Sequence, residues 1–175
     1  NKLNNCYFLQ CAVGKETGQG ILIPSKDAHN LGGTTINKFN ENKVIDVFTI
    51  PINTLDEILF KFKQNNDIPI TLIKLDIEGM ELDALHGATQ TLDKEKPWLV
   101  IEAINSNYFA SISQFLKSFG YTFSIGPFSG APTYIFPSPN FQLSNSLLPP
   151  RYLYCLIRSF QRGRIKRLMK KLIRK

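Results

Sequence analysis

Two apolar segments of this chain end in acidic residues, and helical spacing follows each of them. Ile70–Leu75 runs into Asp76 and Glu78, and Pro97–Ile101 runs into Glu102. Short apolar runs bounded in this way predict buried strands, and apolar residues three and four apart predict helices between them. Strand alternating with helix is the order of an α/β fold, whose usual form is a mostly parallel sheet covered on both faces.

Further elements extend this order toward both ends of the chain. From apolar or alternating composition, strands are also predicted at Tyr7–Val13, Gly20–Pro24, Val44–Ile52, Tyr121–Ile125 and Thr133–Phe136, the last two around a turn at Gly126-Pro127. From helical spacing and end signals, helices are predicted after a capping box at Thr54–Glu57, at about Met80–Leu92, and from Tyr108 to Phe119 before Gly120. The predicted fold class is therefore α/β.

Charge divides the chain into a body and a tail. The net charge is +7, yet residues 1–102 contain ten basic and fourteen acidic residues and are slightly negative. Residues 151–175 contain ten Lys and Arg residues and no acidic residue, with apolar residues mostly three and four apart. Residues 137–150 are rich in Ser, Asn and Pro. We expect a folded body at 1–136, a linker at 137–150 and a basic amphipathic helical tail at 151–175.

Composition narrows the class of protein. With 43% apolar and 20% charged residues, the chain is not expected to be disordered. Its apolar runs are shorter than the roughly 20 residues of a transmembrane helix, and no basic-then-apolar leader opens the sequence. Three cysteines, Cys6, Cys11 and Cys155, are odd in number and too widely spaced for a disulfide framework or a zinc cluster. We expect a cytoplasmic protein.

The acidic strand ends are the candidate site. Lys74, Asp76 and Glu78 occupy every second position, so their side chains share one face if the extended geometry persists. Glu102 ends the next strand, and adjacent strands lie about 4.8 Å apart. Ligands of parallel α/β sheets bind beyond these carboxyl ends. Crowded carboxylates raise at least one pKa unless a cation or a hydrogen-bond donor compensates. A purely structural interpretation also stands, because acidic residues stabilise a helix N-terminus and Lys74 can simply pair with one of them.

The residues around this site resemble a known family. The segment Ile73–Glu81 contains Lys-x-Asp-x-Glu-Gly and is followed by Leu85-His86-Gly87-Ala88, then Lys96-Pro97 and Val100-Ile101-Glu102. These segments resemble the FkbM family of methyltransferases. Further resemblance lies in Gln10–Gly14 as the third strand, Gly32–Thr35 as a loop of small residues, and Ile50–Asp56 as the entry to the next helix. The resemblance extends from about Asn1 to Phe136.

The resemblance implies a class I S-adenosylmethionine-dependent methyltransferase fold, which is Rossmann-like and has strand order 3-2-1-4-5-7-6. In this family a glycine-rich turn after strand one binds the cofactor, and an acidic residue after strand two holds its ribose. No Gly-x-Gly turn precedes Asn1–Asn5. We therefore expect the C-terminal part of a longer methyltransferase, or a truncated relative, with Ile70–Leu75 as an exposed sheet edge. Methyl transfer by these 175 residues alone is not expected.

Roles for single residues follow from the resemblance. It implies methylation of a hydroxyl group of a saccharide or lipid-linked acceptor, with S-adenosylmethionine as the cofactor near Ala12 and Val13. Asp76 is expected to act as the general base, while Glu78 orients the acceptor and Glu102 and Lys74 bind it. A divalent cation at the acidic residues is an open alternative, since hard cations prefer oxygen ligands. Ordinary surface or loop roles are expected for His86 and His29.

The tail leaves further alternatives open. A basic amphipathic helix at 151–175 is expected to lie on an anionic membrane surface and to make the protein peripheral there. Packing of this helix on its own domain is an alternative. Nucleic acid is a third and less favoured partner, since no reading motif accompanies the cations. The alternative to an enzyme is a non-catalytic remnant or membrane-associated interaction module, with the methyltransferase-like body as scaffold.

Overall fold

The computed structural model describes residues 6–23, 35–38, 48–64, 68–128 and 132–140. The predicted tail at 151–175, the linker beyond residue 140, and His29 lie outside these residues.

The described residues alternate between strands and helices, which confirms the mixed α/β class. The strands are β1 (Ala12–Val13), β2 (Gly18–Ile23), β3 (Thr35–Lys38), β4 (Thr49–Asn53), β5 (Leu72–Leu75), β6 (Trp98–Glu102), β7 (Ile125–Phe128) and β8 (Thr133–Phe136). The helices are α1 (Leu55–Lys63), α2 (Glu81–His86), α3 (Thr89–Lys94) and α4 (Ser106–Lys117).

These elements form two four-stranded sheets, and the chain divides into two compact units that each contain one sheet. The first unit comprises Asn1–Ile68 and Ile77–Thr91, and the second comprises Pro69–Asp76 and Leu92–Lys175. The prediction of one mostly parallel sheet is therefore wrong for the described residues. Short connections such as the one between β7 and β8 turn the chain back on itself, and strands joined in this way pair antiparallel.

The sheet of the first unit has the order β1-β4-β2-β3. β1 and β4 are parallel, whereas β2 pairs antiparallel with both β3 and β4. α1 begins after Thr54, whose hydroxyl accepts the amide of Glu57 at 3.2 Å, so the predicted N-cap is confirmed. In a full capping box, the side chain of Glu57 would also accept the amide of Thr54. In this structure, the Glu57 carboxylate instead accepts the hydroxyl of Thr17 at 2.7 Å.

Four hydrogen bonds of Asp56 connect α1 with the segment after α2 inside the first unit. Asp56 accepts the amides of Gln90 and Thr91, both at 2.9 Å, and the hydroxyl of Thr91 at 2.7 Å. Its own amide donates to the carbonyl of Gly87 at 2.9 Å. The Cα of Gly87 lies so near the backbone of Gly14 that a Cβ there would overlap the carbonyl oxygen of Gly14.

The predicted helix at Met80–Leu92 is two helices. α2 ends at His86, with Gly87 as its C-cap, and α3 begins at Thr89. The amide of Ala88 donates to the carbonyl of Leu85, three residues back, which is the tighter spacing of a turn. Apolar spacing continues through Gly87 and Ala88, so periodicity alone does not reveal the break.

The sheet of the second unit has the order β5-β6-β8-β7. β5 and β6 are parallel, and β8 is antiparallel to both β6 and β7. This order is compatible with the 4-5-7-6 half of a class I methyltransferase sheet. Among the described residues, β5 is an edge strand of this sheet, as predicted for Ile70–Leu75.

α4 packs against one face of this sheet. Phe109 of α4 stacks on Tyr134 with 3.9 Å between ring centroids, and Ile112 and Leu116 are fully buried. Asn105 caps α4 by accepting the amide of Tyr108 at 2.9 Å, so the helix begins two residues earlier than predicted. The helix ends before Gly120, which has a φ of 90° as a helix-stop glycine commonly does.

In the last predicted hairpin, the second strand is confirmed at Thr133–Phe136, whereas the first strand is displaced along the chain. β7 begins at Ile125 and contains Gly126 and Pro127, so these residues are part of a strand and not the turn between two strands. Tyr121 is buried, and its hydroxyl donates to the carbonyl of Pro97 at 2.7 Å. Burial also raises the pKa of this hydroxyl. Tyr121 therefore anchors the loop before β7 to the core of the second unit.

Candidate functional site

The carboxyl ends of β5 and β6 lie side by side in the second unit. Their parallel register aligns Lys74 with Val100 and Leu75 with Ile101. Asp76 follows the last residue of β5, and Glu102 is the last residue of β6. Residues aligned across two strands project from the same face of a sheet. Parallel pairing of two acid-tipped strands therefore brings their polar ends to one edge.

Three charged side chains meet at this edge: Lys74, Asp76 and Glu102, here named the rim cluster. The ammonium of Lys74 donates to Oδ2 of Asp76 at 2.5 Å, and the carboxyl of Glu102 is hydrogen-bonded to Asp76. The side chains of Lys74 and Asp76 are 48% and 45% exposed. The rim cluster is thus accessible to a molecule in solution, while its side chains are hydrogen-bonded to one another.

The electrostatics of the rim cluster favour an ionised Asp76. The hydrogen bond from Glu102 lowers the pKa of Asp76, and the hydrogen bond and charge of Lys74 lower it further, against a smaller opposing effect of burial. The expected repulsion between crowded carboxylates is therefore offset by a donor and a cation.

Glu78 does not continue the alternation of β5. The strand ends at Leu75, and Glu78 and Gly79 have φ values of 54° and 93°. The chain therefore turns instead of staying extended, and the predicted common face of Lys74, Asp76 and Glu78 does not reach Glu78. Glu78 is exposed and belongs to the first unit, in the loop that leads to α2.

Glu81, the first residue of α2, contacts this loop, and no role was predicted for it from the sequence. Its side chain is 1% exposed, and Oε1 accepts the amides of Ile77 at 2.9 Å and of Gly79 at 3.3 Å. The other oxygen, Oε2, is buried without a hydrogen-bond partner among the described residues. A sequence signal was present, because an acidic residue two positions after a glycine at the start of a helix can accept loop amides.

The residues predicted to bind the cofactor lie in β1 of the first unit. Ala12 is buried and Val13 is partly exposed, and they align with Ile52 and Asn53 of β4. The amide of Gly14 continues this pairing by donating to the carbonyl of Asn53 at 3.1 Å. The cofactor role of Ala12 and Val13 stays a prediction, and so do the roles of Lys74, Asp76, Glu78 and Glu102.

The described residues contain neither a group of side chains that could hold a metal ion nor a helix that could cross a membrane. Within the residues that the structure describes, no three His, Cys, Asp or Glu side chains are grouped so that they could hold a metal ion. In the same part of the chain, every helix is too short or too polar to cross a bilayer. His86 lies in the last turn of α2 and is partly buried.

Comparison with known proteins identifies the family of this chain. The family described as Methyltransferase FkbM domain matches residues 1–123, which is more than two thirds of the sequence. No curated protein and no solved structure matches the chain. The matched region contains both acid-tipped strands, the loop with Glu81, and all of the first unit that the structure describes. The chain therefore belongs to the FkbM methyltransferase family.

Proposed function

We propose that this chain serves S-adenosylmethionine-dependent methylation of a hydroxyl group on a saccharide or lipid-linked acceptor. The observation that carries the proposal is the rim cluster, in which Lys74, Asp76 and Glu102 meet at the carboxyl ends of two parallel strands. Membership of the methyltransferase family supports the class of reaction. The position of the rim cluster supports a ligand-binding role for the carboxyl ends of β5 and β6, since α/β sheets bind ligands at this edge.

The family resemblance implies S-adenosylmethionine as the methyl donor, and this cofactor supplies an activated methyl group on a positively charged sulfonium. In the first unit, the resemblance assigns Ala12 and Val13 to the cofactor and Glu78 to the acceptor.

Asp76 is the proposed general base. Its carboxylate is ionised at neutral pH because its pKa is lowered, so it can accept the proton of an acceptor hydroxyl. A lowered pKa also makes it a weak base. A weak base is sufficient here, because the hydroxyl proton becomes strongly acidic as the oxygen gains a methyl group. A positioned base typically contributes roughly 10²–10⁴-fold in rate.

Lys74 and Glu102 have complementary roles in this proposal. Lys74 donates a hydrogen bond to Asp76, and Glu102 is hydrogen-bonded to it, and both contacts lower the pKa of Asp76. They also limit the directions in which the carboxylate can turn, and alignment of reacting groups supplies a large part of enzymatic rate enhancement. Both side chains have remaining polar capacity with which to bind hydroxyl groups of a saccharide.

The test uses the full protein, with the glycine-rich cofactor-binding segment that the resemblance places before this chain, and labelled S-adenosylmethionine. Transfer of the labelled methyl group to free and lipid-linked saccharides is measured for the wild type, Asp76→Asn and Asp93→Asn, and cofactor affinity is measured by calorimetry. Asp76→Asn should lower turnover by about 100-fold or more and leave cofactor affinity unchanged. Asp93→Asn removes the same charge from an exposed position of α3 and should leave both unchanged.

Two results would contradict the proposal. Equal losses of turnover and cofactor affinity in Asp76→Asn would make Asp76 a cofactor-binding residue and not the base. Failure of the wild type to transfer a methyl group to any acceptor would favour the scaffold alternative.

A second proposal concerns residues 151–175, and the observation behind it is their ten Lys and Arg residues without an acidic residue. We propose that this segment binds anionic membrane surfaces. Cations near such a surface contribute about 1 kcal/mol each. Sedimentation with vesicles should show binding to phosphatidylserine-containing vesicles, weakening with salt, and little binding to phosphatidylcholine alone. Each Lys→Gln substitution at Lys170 and Lys171 should weaken binding several-fold. Binding to nucleic acid in place of vesicles would overturn this proposal.

A further inference from the structure

The loop that carries Glu78 is held from within by a buried carboxylate. Oε1 of Glu81 accepts the amide of Ile77 at 2.9 Å and the amide of Gly79 at 3.3 Å. These amides belong to the residues on either side of Glu78. All four residues lie in the first unit. One side-chain oxygen thus restrains the backbone before and after Glu78.

Restraint is needed because the backbone of Glu78 is unusual. Its φ of 54° lies in the left-handed region, which is unfavourable for a residue with a Cβ. Such conformations persist when surrounding contacts determine them. Within the loop, the amide of Met80 donates to the carbonyl of Ile77 at 3.4 Å, which is a long hydrogen bond, and Met80 makes no side-chain capping hydrogen bond to α2. The two hydrogen bonds to Glu81 therefore act at the place where the strain is.

Glu81 differs from an ordinary acidic residue at a helix N-terminus. Such residues are usually exposed and stabilise the helix through its own first amides and its dipole. Glu81 is 1% exposed, and both of its hydrogen bonds go back to residues that precede α2. Burial of a carboxylate is costly, and Oε2 has no partner among the described residues to offset that cost. A helix-stabilising role does not need this burial, whereas fixing the loop does.

We propose that Glu81 is a positioning residue that holds Glu78 in the orientation it needs to bind the acceptor. This role rests on the proposed function, in which Glu78 orients the acceptor. With φ fixed by hydrogen bonds on both sides, the Cα–Cβ direction of Glu78 is fixed as well. Loss of Glu81 leaves the side chain of Glu78 present but variable in direction.

Hydrogen exchange of the full chain tests the structural part of the proposal. Glu81→Leu keeps a side chain of similar size and removes the acceptor, so the amides of Ile77 and Gly79 should exchange at least tenfold faster. Glu81→Gln keeps an acceptor oxygen and should exchange like the wild type. The amide of Tyr108, which Asn105 accepts in the second unit, is an internal reference that should not change. Unchanged exchange at Ile77 and Gly79 in Glu81→Leu would overturn the proposal.

Methyl transfer tests the functional part. Glu81→Leu should lower turnover to the level of Glu78→Gln and leave cofactor affinity unchanged, and Glu81→Gln should restore it. If Glu81→Leu does not fold, Glu81→Asp replaces it, because the shorter side chain withdraws the acceptor and should also accelerate exchange relative to Glu81→Gln. Full turnover in both Glu78→Gln and a variant with accelerated exchange would overturn the positioning role. Unchanged turnover in Asp76→Asn would instead refute the proposed function, and the exchange results would remain valid.

Discussion

The two units bury different kinds of side chain. The second unit has a core of large apolar side chains that are 0–1% exposed: Leu92, Leu99, Ile101, Ile112 and Leu116. Among the described residues of the first unit, the buried large apolar side chains are Leu85 and Ile52, and they are accompanied by small and polar ones: Ala12, Ala84, Ala88, Glu81 and Thr91. Hydrophobic stabilisation scales with the apolar area removed from water. The described core of the second unit therefore buries more large apolar side chains than that of the first.

Among the described residues, the first unit also exposes more large apolar side chains than the second. Large apolar side chains that are at least half exposed in the first unit are Tyr7, Phe8, Leu9, Phe48, Phe60 and Ile68. Ile104 and Phe123 are the corresponding residues of the second unit. α1 has no buried residue, and hydrogen bonds of Asp56 and Thr54 connect its first turn to neighbouring backbone. Polar contacts and close backbone approach thus have in the first unit the role that apolar packing has in the second.

The largest expected loss of stability comes from a substitution in the apolar core of the second unit. Leu116→Ala removes a fully buried side chain of α4 and should lower the free energy of unfolding by about 2–5 kcal/mol, because the cavity cannot fully close. Phe60→Ala in α1 removes a larger side chain that is 66% exposed and should cost far less. Urea denaturation measures both. Equal losses would show that the two units do not differ in their use of apolar burial.

The next effect concerns close backbone approach in the first unit. A Cβ at Gly87 would overlap the carbonyl oxygen of Gly14 and lie 3.2 Å from Cβ of Thr54, so Gly87→Ala should cost about 1–3 kcal/mol. Gly18→Ala is the matched control, since a Cβ there meets no atom within 4 Å. Thermal and urea unfolding compare the two variants. If both are equally stable, the approach of Gly87 to Gly14 is not a constraint.

A smaller effect is expected from the polar contacts of α1. Asp56→Ala removes the acceptor of the Gln90 and Thr91 amides and of the Thr91 hydroxyl, and we expect a loss of about 1–2 kcal/mol. Asp56→Asn keeps one acceptor oxygen and should lose about half as much. Urea denaturation at neutral pH distinguishes the variants. A loss below that of Phe60→Ala would contradict the importance of polar contacts in this unit.

The smallest effect is the pH dependence that Asp76 confers on the second unit. Its lowered pKa stabilises the folded state above the ordinary value of 3.8, and this contribution is lost as pH falls through the folded-state value. Because the side chain is 45% exposed, we expect less than about 1 kcal/mol. Lys74→Ala removes a hydrogen bond and a charge and should raise the pKa of Asp76, as measured by NMR titration. An unchanged pKa would mean that Lys74 does not influence the carboxylate.

Local patterns predicted much of the second unit. The strand at Pro97–Ile101 and the glycine stop after α4 depend on neighbouring residues, and the sequence contains that information. The direction of strand pairing depends on contacts between distant residues, so the antiparallel strands were not predicted. The close approach of Gly87 to the backbone of Gly14 was missed for the same reason, because Gly14 is far away in sequence.

The candidate site shows the same limit. Lys74, Asp76 and Glu102 could be predicted to meet, since a period of two and parallel register are regular geometries. Glu78 departs from that geometry because the chain takes a positive φ at its position. Glu81 was missed because a charged residue at a helix start is normally expected to be exposed, and its burial follows from hydrogen bonds to the preceding loop.

The division of the chain has a consequence for its synthesis. Each unit consists of two separate stretches, and Pro69–Asp76 of the second unit is translated before Ile77–Thr91 completes the first. β5 therefore leaves the ribosome before β6, with which it pairs. Neither unit can be released by one proteolytic cut or expressed by a simple truncation. A nascent chain arrested after β5 has emerged from the ribosome, but before β6 has, would present the apolar strand β5 without its neighbour, as a substrate for chaperones.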